Sequence, residues 1–544
     1  MSTNWTPDDE AMLAAIEEAR QAEAALLEQG GRQDDPLSPA FIRACLYNNE
    51  RGDGILFAHL HRGKWVMVKN WGRAGVWLKW AGHCWEVDKL EEVNNAVEDV
   101  AQVYLEASVT ADEHMKAALD AGRKEEAARH DRERKLYLRR VNRLRSLGGV
   151  NACLRWATHV GDQLSLAIIG DQIGLHPWLL PLTNCVLDLR TGTASPGRPE
   201  DYILGCLPVE WQGLDAPCPT WDRFFAEIHQ DKQPILDYLD RLFGYCLTGL
   251  TNHHFIGAFL GEGRNGKGTL FETLRALFGP FGWNISPELL LEQKFARSSA
   301  GPSPDLIAIQ GKRIIIASEM NKGRRISTEQ VKRLTGSDTI IARAPHDRED
   351  TNFRPSWKLF FYTNFLPHGL AEDFAMKERL ILIDYPLKFV DDPDPTDPNQ
   401  RKRDPDLPAK LAAEHPGILA RLVRGCLQMQ AMGGLHPPVE IRMAADELQR
   451  KEDFIRQFFD DVVTVHPDPE DPSRHDDQIT TPFKIFYGAF ASWYEDEVSD
   501  SDRYRPTKKA VSMWLEKRGF KRTKRGGVAH IHGLSIAITG EVMG

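Results

Sequence analysis

The sequence predicts an α/β chain of several domains arranged around a phosphate-binding strand–loop–helix, and three observations predict it. An apolar run, Phe255-Ile256-Gly257-Ala258-Phe259-Leu260, leads into Gly261-Glu262-Gly263-Arg264-Asn265-Gly266-Lys267-Gly268-Thr269; Leu270, Phe271, Leu274, Leu277 and Phe278 then recur at helical spacing. Two further apolar runs follow, one ending in Glu319 and one in Asn364. Short tryptophan-punctuated β-like runs precede this core, and two helices with a glycine-tipped hairpin follow it.

The 544 residues suffice for about three or four domains. A hydrophobic share of 42% against 27% charged is that of a globular chain, with no apolar run as long as a membrane span. The first 35 residues are acidic and alanine-rich, unlike a signal peptide, and a cytoplasmic protein is expected. Eight cysteines are scattered without a C-x-x-C pair or matching histidines, which predicts reduced thiols and no structural zinc. A net charge of −10 hides a local excess: residues 505–525 carry nine lysines and arginines against one acid, Glu516. Local patches, not totals, decide phosphate binding.

In chain order, residues 1–36 form a tail containing an alanine- and glutamate-rich helix over 8–28. Residues 37–219 form a mixed α+β domain, with a tryptophan-rich meander over 55–88 and helices over 91–145. The basic stretch 129–145 reads as a solvated helix face or, alternatively, as a DNA-facing one. Residues 184–192 form a tight hairpin, 220–250 a helical collar, 251–390 the nucleotide core and 391–465 a helical lid region. An acidic, proline-containing break at 466–477 precedes a module over 478–544.

The glycines of the loop let backbone N–H groups surround a phosphate, and the helix N-terminus adds partial positive charge. Gly261, Gly263, Asn265, Gly266, Lys267, Gly268 and Thr269 are therefore the nucleotide-binding candidates, with Lys267 reaching the outer phosphates of ATP. Gly268 directly follows the lysine, so the hydroxyl offered to Mg²⁺ comes one place later, on Thr269. Glu319 ends an apolar strand where a carboxylate for Mg²⁺ and the attacking water belongs. Asn364 ends the next strand and can bond the γ-phosphate or the water. Arg379 precedes Leu380-Ile381-Leu382-Ile383 and reads as an arginine finger or as a surface ion pair with Glu378 or Asp384.

Residues 150–460 resemble the superfamily-3 helicase module of the phage and plasmid primase–helicases, related to the poxvirus primase–helicase. The resemblance rests on residues 184–192, 244–249 (Gly-Tyr-Cys-Leu-Thr-Gly), 261–269, 311–319, 332–338, 341–343, 353–355, Thr363-Asn364 and 414–419. It implies an AAA+ fold, a homo-hexameric ring and 3′→5′ movement on single-stranded DNA. It also implies a hairpin pointing into the ring channel, with residues 339–343 and 351–355 as arms and 345–348 as tip. Lys332, Arg343, His346 and Arg348 become candidate DNA contacts, or else belong to an exposed polar loop. The chain departs from the family at Glu378, where a second arginine is common. Residues 1–150 lack a convincing D-x-D strand, which predicts a helicase part without a primase domain and a separate primase or polymerase as partner.

At the C-terminal end, Phe483, Phe486, Tyr487, Phe490, Trp493 and Tyr494 give one aromatic helix and residues 507–518 a basic one. Residues 521–525 and Gly526-Gly527 lead to a strand pair around 528–531 and 534–538, the pattern of a winged helix. Lys508, Lys509, Lys521, Arg522, Lys524 and Arg525 are its DNA-binding candidates, with docking to protein the alternative. The chain thus reads as an ATP-dependent translocase-helicase on single-stranded and forked DNA. Competing readings are an origin-binding initiator ATPase and a DNA-gripping ATPase of element maintenance or defence.

Overall fold

The computed structural model describes residues 37–72, 74–161, 165–293, 303–318, 320, 324–343, 350–367, 369–370, 374–452, 454–467, 475–498 and 505–536. The helix expected over 8–28, together with Glu319, His346 and Arg348, lies outside the described residues.

The first part is a helical layer beside a small sheet. Pro39–Tyr47 starts on Ser38, whose hydroxyl accepts from Phe41 N at 3.1 Å. Val93–Asp120 is started by Asp88, whose carboxylate accepts from Glu92 N and Val93 N, both at 2.9 Å. The expected meander is present: Trp65–Val68, Val76–Trp80 and Trp85–Val87 pair antiparallel in sequence, and Ala167–Ile168 joins the Trp65–Val68 strand in parallel. Trp65 and Trp85 are buried, so they serve the core. The basic helix Lys124–Leu144 spends its charge within the chain. Arg140 meets buried Asp53 at 3.1 Å, Arg143 meets Glu50 at 2.9 Å and Glu133 takes Arg43 at 2.8 Å, while Arg145, just past the helix, meets Glu98.

Leu179–Pro181, Val186–Asp188 and Thr193–Ser195 form a three-stranded antiparallel sheet containing the expected hairpin. Helices Pro219–Ile228 and Gln233–Cys246 follow, and the later helices Leu407–Ala413 and His415–Met432 pack back on them. Glycine makes that approach feasible: a Cβ on Gly425 would lie 2.0 Å from Asp240 O, and one on Gly244 2.3 Å from Cys426 N. Glu414 accepts from Thr220 N and Trp221 N at 2.9–3.0 Å and so caps the first of these helices across the sequence.

The centre is a five-stranded sheet: β1 Ile256–Leu260, β2 Gly282–Ile285, β3 Ile314–Ser318, β4 Lys358–Thr363 and β5 Leu380–Asp384. Its order is β5-β1-β4-β3-β2 and every pair is parallel. Side chains alternate between two buried faces: Ile314 and Ile316 enter one core, Ile315 and Ala317 the other. Burial on both sides is why β1, β3, β4 and β5 read as largely apolar runs, whereas the edge strand β2 exposes Trp283 and Asn284.

Residues 340–342 and 351–353 pair antiparallel, Ile340 opposite Phe353, as the two expected hairpin arms; the tip at 345–348 lies outside the described residues. In the last module Phe486, Phe490, Tyr494, Val511, Leu515, Phe520, Ile531 and Leu534 share a core. Ile455 and Phe458 of the preceding helix Phe454–Val462 enter the same core, so this unit includes chain from before residue 478. One expectation is corrected here. The hairpin at Gly526-Gly527 pairs Arg522–Arg525 with Val528–His532, and Leu534–Ile536 pairs instead with Val463–Val465. Both glycines have positive φ, 56° and 83°, which a two-residue turn joining twisted strands requires. The basic run is therefore a strand of the hairpin, not the loop before it. Among the described residues no helix is long and apolar enough to cross a membrane.

Candidate functional site

The site forms at the carboxyl ends of β1 and β4. Because the order places β1 between the later strands β4 and β5, the loop after it emerges into a crevice where the topology switches direction, the usual ligand position of an open parallel sheet. Residues 261–266 form that loop, and helix Lys267–Phe278 starts on Gly266 at φ 86°. No side chain caps this helix, so the first N–H groups of Lys267, Gly268 and Thr269 have no partner among the described residues. A Cβ at Gly263 or Gly268 would meet nothing within 4 Å, which leaves open space over the loop. Gly266 by contrast lies against Ile228 and Gly261 against Tyr385 O, where a Cβ would sit 2.7 and 2.5 Å away.

Lys267 is 3% exposed, with Nζ donating to Gly261 O at 2.5 Å and to Asn265 Oδ1 at 3.0 Å. Burial without a carboxylate partner pulls its pKa down to about 8. A desolvated ammonium beside uncapped helix N–H groups is a place that an anion stabilises, and the donor set fits phosphate oxygens. Asn265 braces the loop, its Nδ2 donating to Tyr385 O at 3.3 Å. Phe389 N donates to Arg264 O at 2.6 Å, and Tyr385 N to Leu260 O at 2.8 Å. The chain just after β5 therefore holds the loop, and His229 supports it: Nδ1 donates to Phe225 O, and Nε2 accepts from the Tyr385 hydroxyl at 2.6 Å. Sequence reading missed His229 and Tyr385, since only the β1–β5 pairing brings them to the loop.

Asn364 is exposed directly after β4, whose last residue, Thr363, is paired with Leu260 and accepts from Gly261 N at 3.2 Å. The structure thus brings Asn364 to the loop, as expected. Half-buried Thr269 stands in the first turn of the helix, on the same edge. β3 ends at Ser318, opposite Tyr362; Glu319 lies outside the described residues.

Arg379 is elsewhere. It precedes β5, so the strand's length, five residues at about 3.3 Å each, separates it from the loop of its own chain. Its guanidinium donates to Lys332 O at 3.2 Å and Thr335 Oγ1 at 3.0 Å, at the end of helix Thr328–Thr335, and not to Glu378 or Asp384. Arg343 pairs with Asp350 at 3.3 Å across the hairpin arms. On the last module Lys508, Lys509 and Lys524 are exposed. Lys521 meets Asp477 at 2.9 Å, and Arg522 bonds Ser512 and lies 5.0 Å over Phe483.

Residues 54–230 match the family described as "D5 N terminal like", and residues 259–379 match a family of unknown function, DUF5906. Over 297 residues, 53% of this chain, the sequence is 28% identical to a protein of Acanthamoeba polyphaga mimivirus named "Putative helicase". A protein of Frog virus 3 (isolate Goorha) named in the same way is 26% identical over 290 residues, 52% of this chain. Over these stretches the chain is similar to the D5 N-terminal-like family and to viral proteins named as helicases. The matched stretches span only 30% and 29% of these two viral proteins. Among solved structures, the apo C-terminal region of NrS-1 aligns over 60% of this chain and 79% of that one, at 11% identity and a TM-score of 0.36, too distant to bear on fold or activity.

Proposed function

We propose that this chain is an ATP-dependent DNA helicase with the five-stranded sheet as an AAA+ P-loop motor. One observation carries the reading: an uncapped helix N-terminus, a buried lysine with no acidic partner and Asn364 meet at the carboxyl ends of neighbouring parallel strands. Lys267 and the N–H groups of residues 267–269 would hold the β- and γ-phosphates. Thr269 and Glu319 would hold Mg²⁺, which supplies charge neutralisation at those oxygens. Glu319 polarises the attacking water and Asn364 orients it.

Arg379 lies too far from its own loop to act in cis, so it would serve a neighbouring subunit in a homo-hexameric ring. The hairpin 340–353 would line the channel, with Lys332, Arg343, His346 and Arg348 on the phosphates of a single strand moved 3′→5′. The last module, acting as a winged helix, would grip duplex DNA beside the fork through its basic hairpin. The setting is replication of a phage, plasmid or integrated element in a bacterial cytoplasm, with a separate primase or polymerase as partner. Forked DNA with a single 3′ or 5′ tail tests this: ATP- and Mg²⁺-dependent unwinding is expected with the 3′ tail. Unwinding only from the 5′ tail, or no ATP hydrolysis with single-stranded DNA, would sink it.

The basic hairpin favours a second reading, an initiator that binds duplex origin DNA. Robust DNA-dependent hydrolysis with no strand separation on either fork, and a footprint on duplex, would select it.

A further inference from the structure

Cys84, Glu86 and Cys206 bring two thiols and a carboxylate together far from the phosphate loop's chemistry. Their ligand atoms all lie within 4.8 Å of one another, with Cys84 buried, Cys206 half-buried and Glu86 exposed. Two features of the backbone build the cluster. Cys84 and Glu86 flank Trp85 at the start of an extended strand, so they share one face. Trp85 bridges Leu204 in parallel, with Trp85 N donating to Ile203 O at 2.7 Å and Gly205 N to Trp85 O at 2.8 Å. Gly205, at φ 74°, then turns the chain and delivers Cys206 to the same face.

Among the described residues no cation forms an ion pair with any of these three donors. Lys79, opposite Glu86 across the strand pair, is taken by Glu92 at 2.5 Å. The His83 ring accepts from Gly197 N at 3.0 Å, and Glu86 is in no ion pair among the described residues. All eight cysteines are free thiols, so no disulfide occupies the pair. Two sulfurs on one tetrahedral zinc at about 2.3 Å each stand roughly 3.8 Å apart, so the cluster needs a closure of about 1 Å or less.

We propose that Cys84, Cys206 and Glu86 bind one thiophilic divalent metal ion, zinc foremost, with water in the fourth position. Paired thiolates select such an ion over Mg²⁺, which keeps this site separate from any magnesium at the phosphate loop. Its place gives it work. The ion ties the tryptophan meander to segment 203–208, and that segment lies on the turn after the loop helix. There a Cβ on Gly205 would meet Pro280 at 3.2 Å, and one on Gly279 would meet Pro208 at 2.5 Å.

Cobalt titration of the full chain, purified anaerobically with a phosphine reductant, tests the proposal. A thiolate-to-cobalt charge-transfer band should saturate at about one ion per chain and be displaced by zinc. Cys206→Ser, a change at a half-buried position, should abolish the band, and Glu86→Gln should weaken binding at least about tenfold. Far-UV circular dichroism checks that both variants fold; if either does not, the wild-type titration alone decides. No band in the wild-type chain, or a band unchanged in Cys206→Ser, would overturn the assignment.

Discussion

The two ends of the central sheet each bury a lysine without a carboxylate, yet only one end leaves room for a ligand. At the carboxyl end Lys267 points into a loop with open space over Gly263 and Gly268 and unpartnered helix N–H groups beside it. At the amino end Lys358, at the start of β4, is closed over: Nζ donates to Thr248 O and lies 4.5 Å over the Tyr245 ring. Arg313 next to it donates to Leu247 O and, at 2.7 Å, to Leu179 O. These two cations hold the carbonyls that follow helix Gln233–Cys246, the negative end of its dipole. Burial pulls the lysine pKa down in both places, to about 8 for Lys267 and about 7 for Lys358. Desolvation alone therefore does not mark a functional group. What distinguishes the ends is that unpartnered helix N–H groups stand beside Lys267 and that room is left there for a ligand.

The largest contrast should come from removing each lysine in turn. Lys267→Ala should lower ATP turnover by at least about 10²-fold, the scale for losing one preorganised phosphate donor, and weaken nucleotide binding. Glu319→Gln should keep ATP bound and fail to cleave it, because the carboxylate acts on water and metal and not on the ground-state phosphates. Fluorescent-nucleotide binding beside phosphate release separates the two. Normal turnover in Glu319→Gln would remove that residue from the site.

Arg379 shows what the sequence could and could not tell. The loop, its helix and the strand ending at Asn364 were legible because their chemistry is local: glycine spacing, an apolar run, a terminal polar residue. The hairpin arms came from the family resemblance, and residues 340–342 and 351–353 do pair. That Arg379 sits at the amino end was not, since only the parallel register of β1 and β5 fixes it. The terminal hairpin was half legible: Gly526-Gly527 gave the turn, but which strands flank it depended on Leu534–Ile536 finding Val463–Val465 across the module. The Cys84–Cys206 pair was illegible, because ligand-spacing rules look for neighbours in sequence and these meet through one parallel bridge.

If the amino-end arginine completes a neighbour's carboxyl-end site, the two ends are coupled between subunits. Arg379→Ala alone should lower ATP turnover, but so would loss of its bonds to helix Thr328–Thr335. Mixing Arg379→Ala with Lys267→Ala subunits removes that ambiguity. Some activity should return, because a fraction of interfaces then pairs an intact loop with an intact arginine. A mixture no more active than its parts would confine Arg379 to the helix it bonds.

Lys358 should affect stability and not chemistry. Lys358→Met strands Thr248 O and should cost about 1–3 kcal/mol of folding free energy while folded protein keeps its ATP turnover. The pH dependence carries a sign. With the folded pKa near 7 and the unfolded value near 10.5, the unfolded chain binds more protons between those limits. Wild-type stability from this lysine should therefore rise with pH across that window, by at most about 1.4 kcal/mol per unit. Lys267 and Arg313, also lowered by burial, add to the slope at its upper end. Urea melts of both proteins at pH 7 and pH 8 should show a smaller pH increment in Lys358→Met. Equal increments would mean that the lysine is not desolvated.

The smallest effect belongs to the outermost charges. Exposed Lys508, Lys509 and Lys524 lie on a module with its own aromatic core, so changing them should leave the sheet and its two ends untouched. If the basic hairpin binds duplex DNA through phosphates, each lysine removed should weaken binding a few-fold, uniformly across sequences, and flatten the log–log salt slope by about one. Point changes are the better test than deleting residues 478–544, because that deletion would strip Ile455 and Phe458 of their core partners. ATP turnover on long single strands should stay at the wild-type level, since the loop and hairpin arms are intact. Fluorescence anisotropy with a labelled duplex at several salt concentrations, beside single-strand-stimulated hydrolysis, reads both. Should Lys524→Ala lose the single-strand stimulation and keep the duplex salt slope, the module would be feeding the motor and not gripping the duplex.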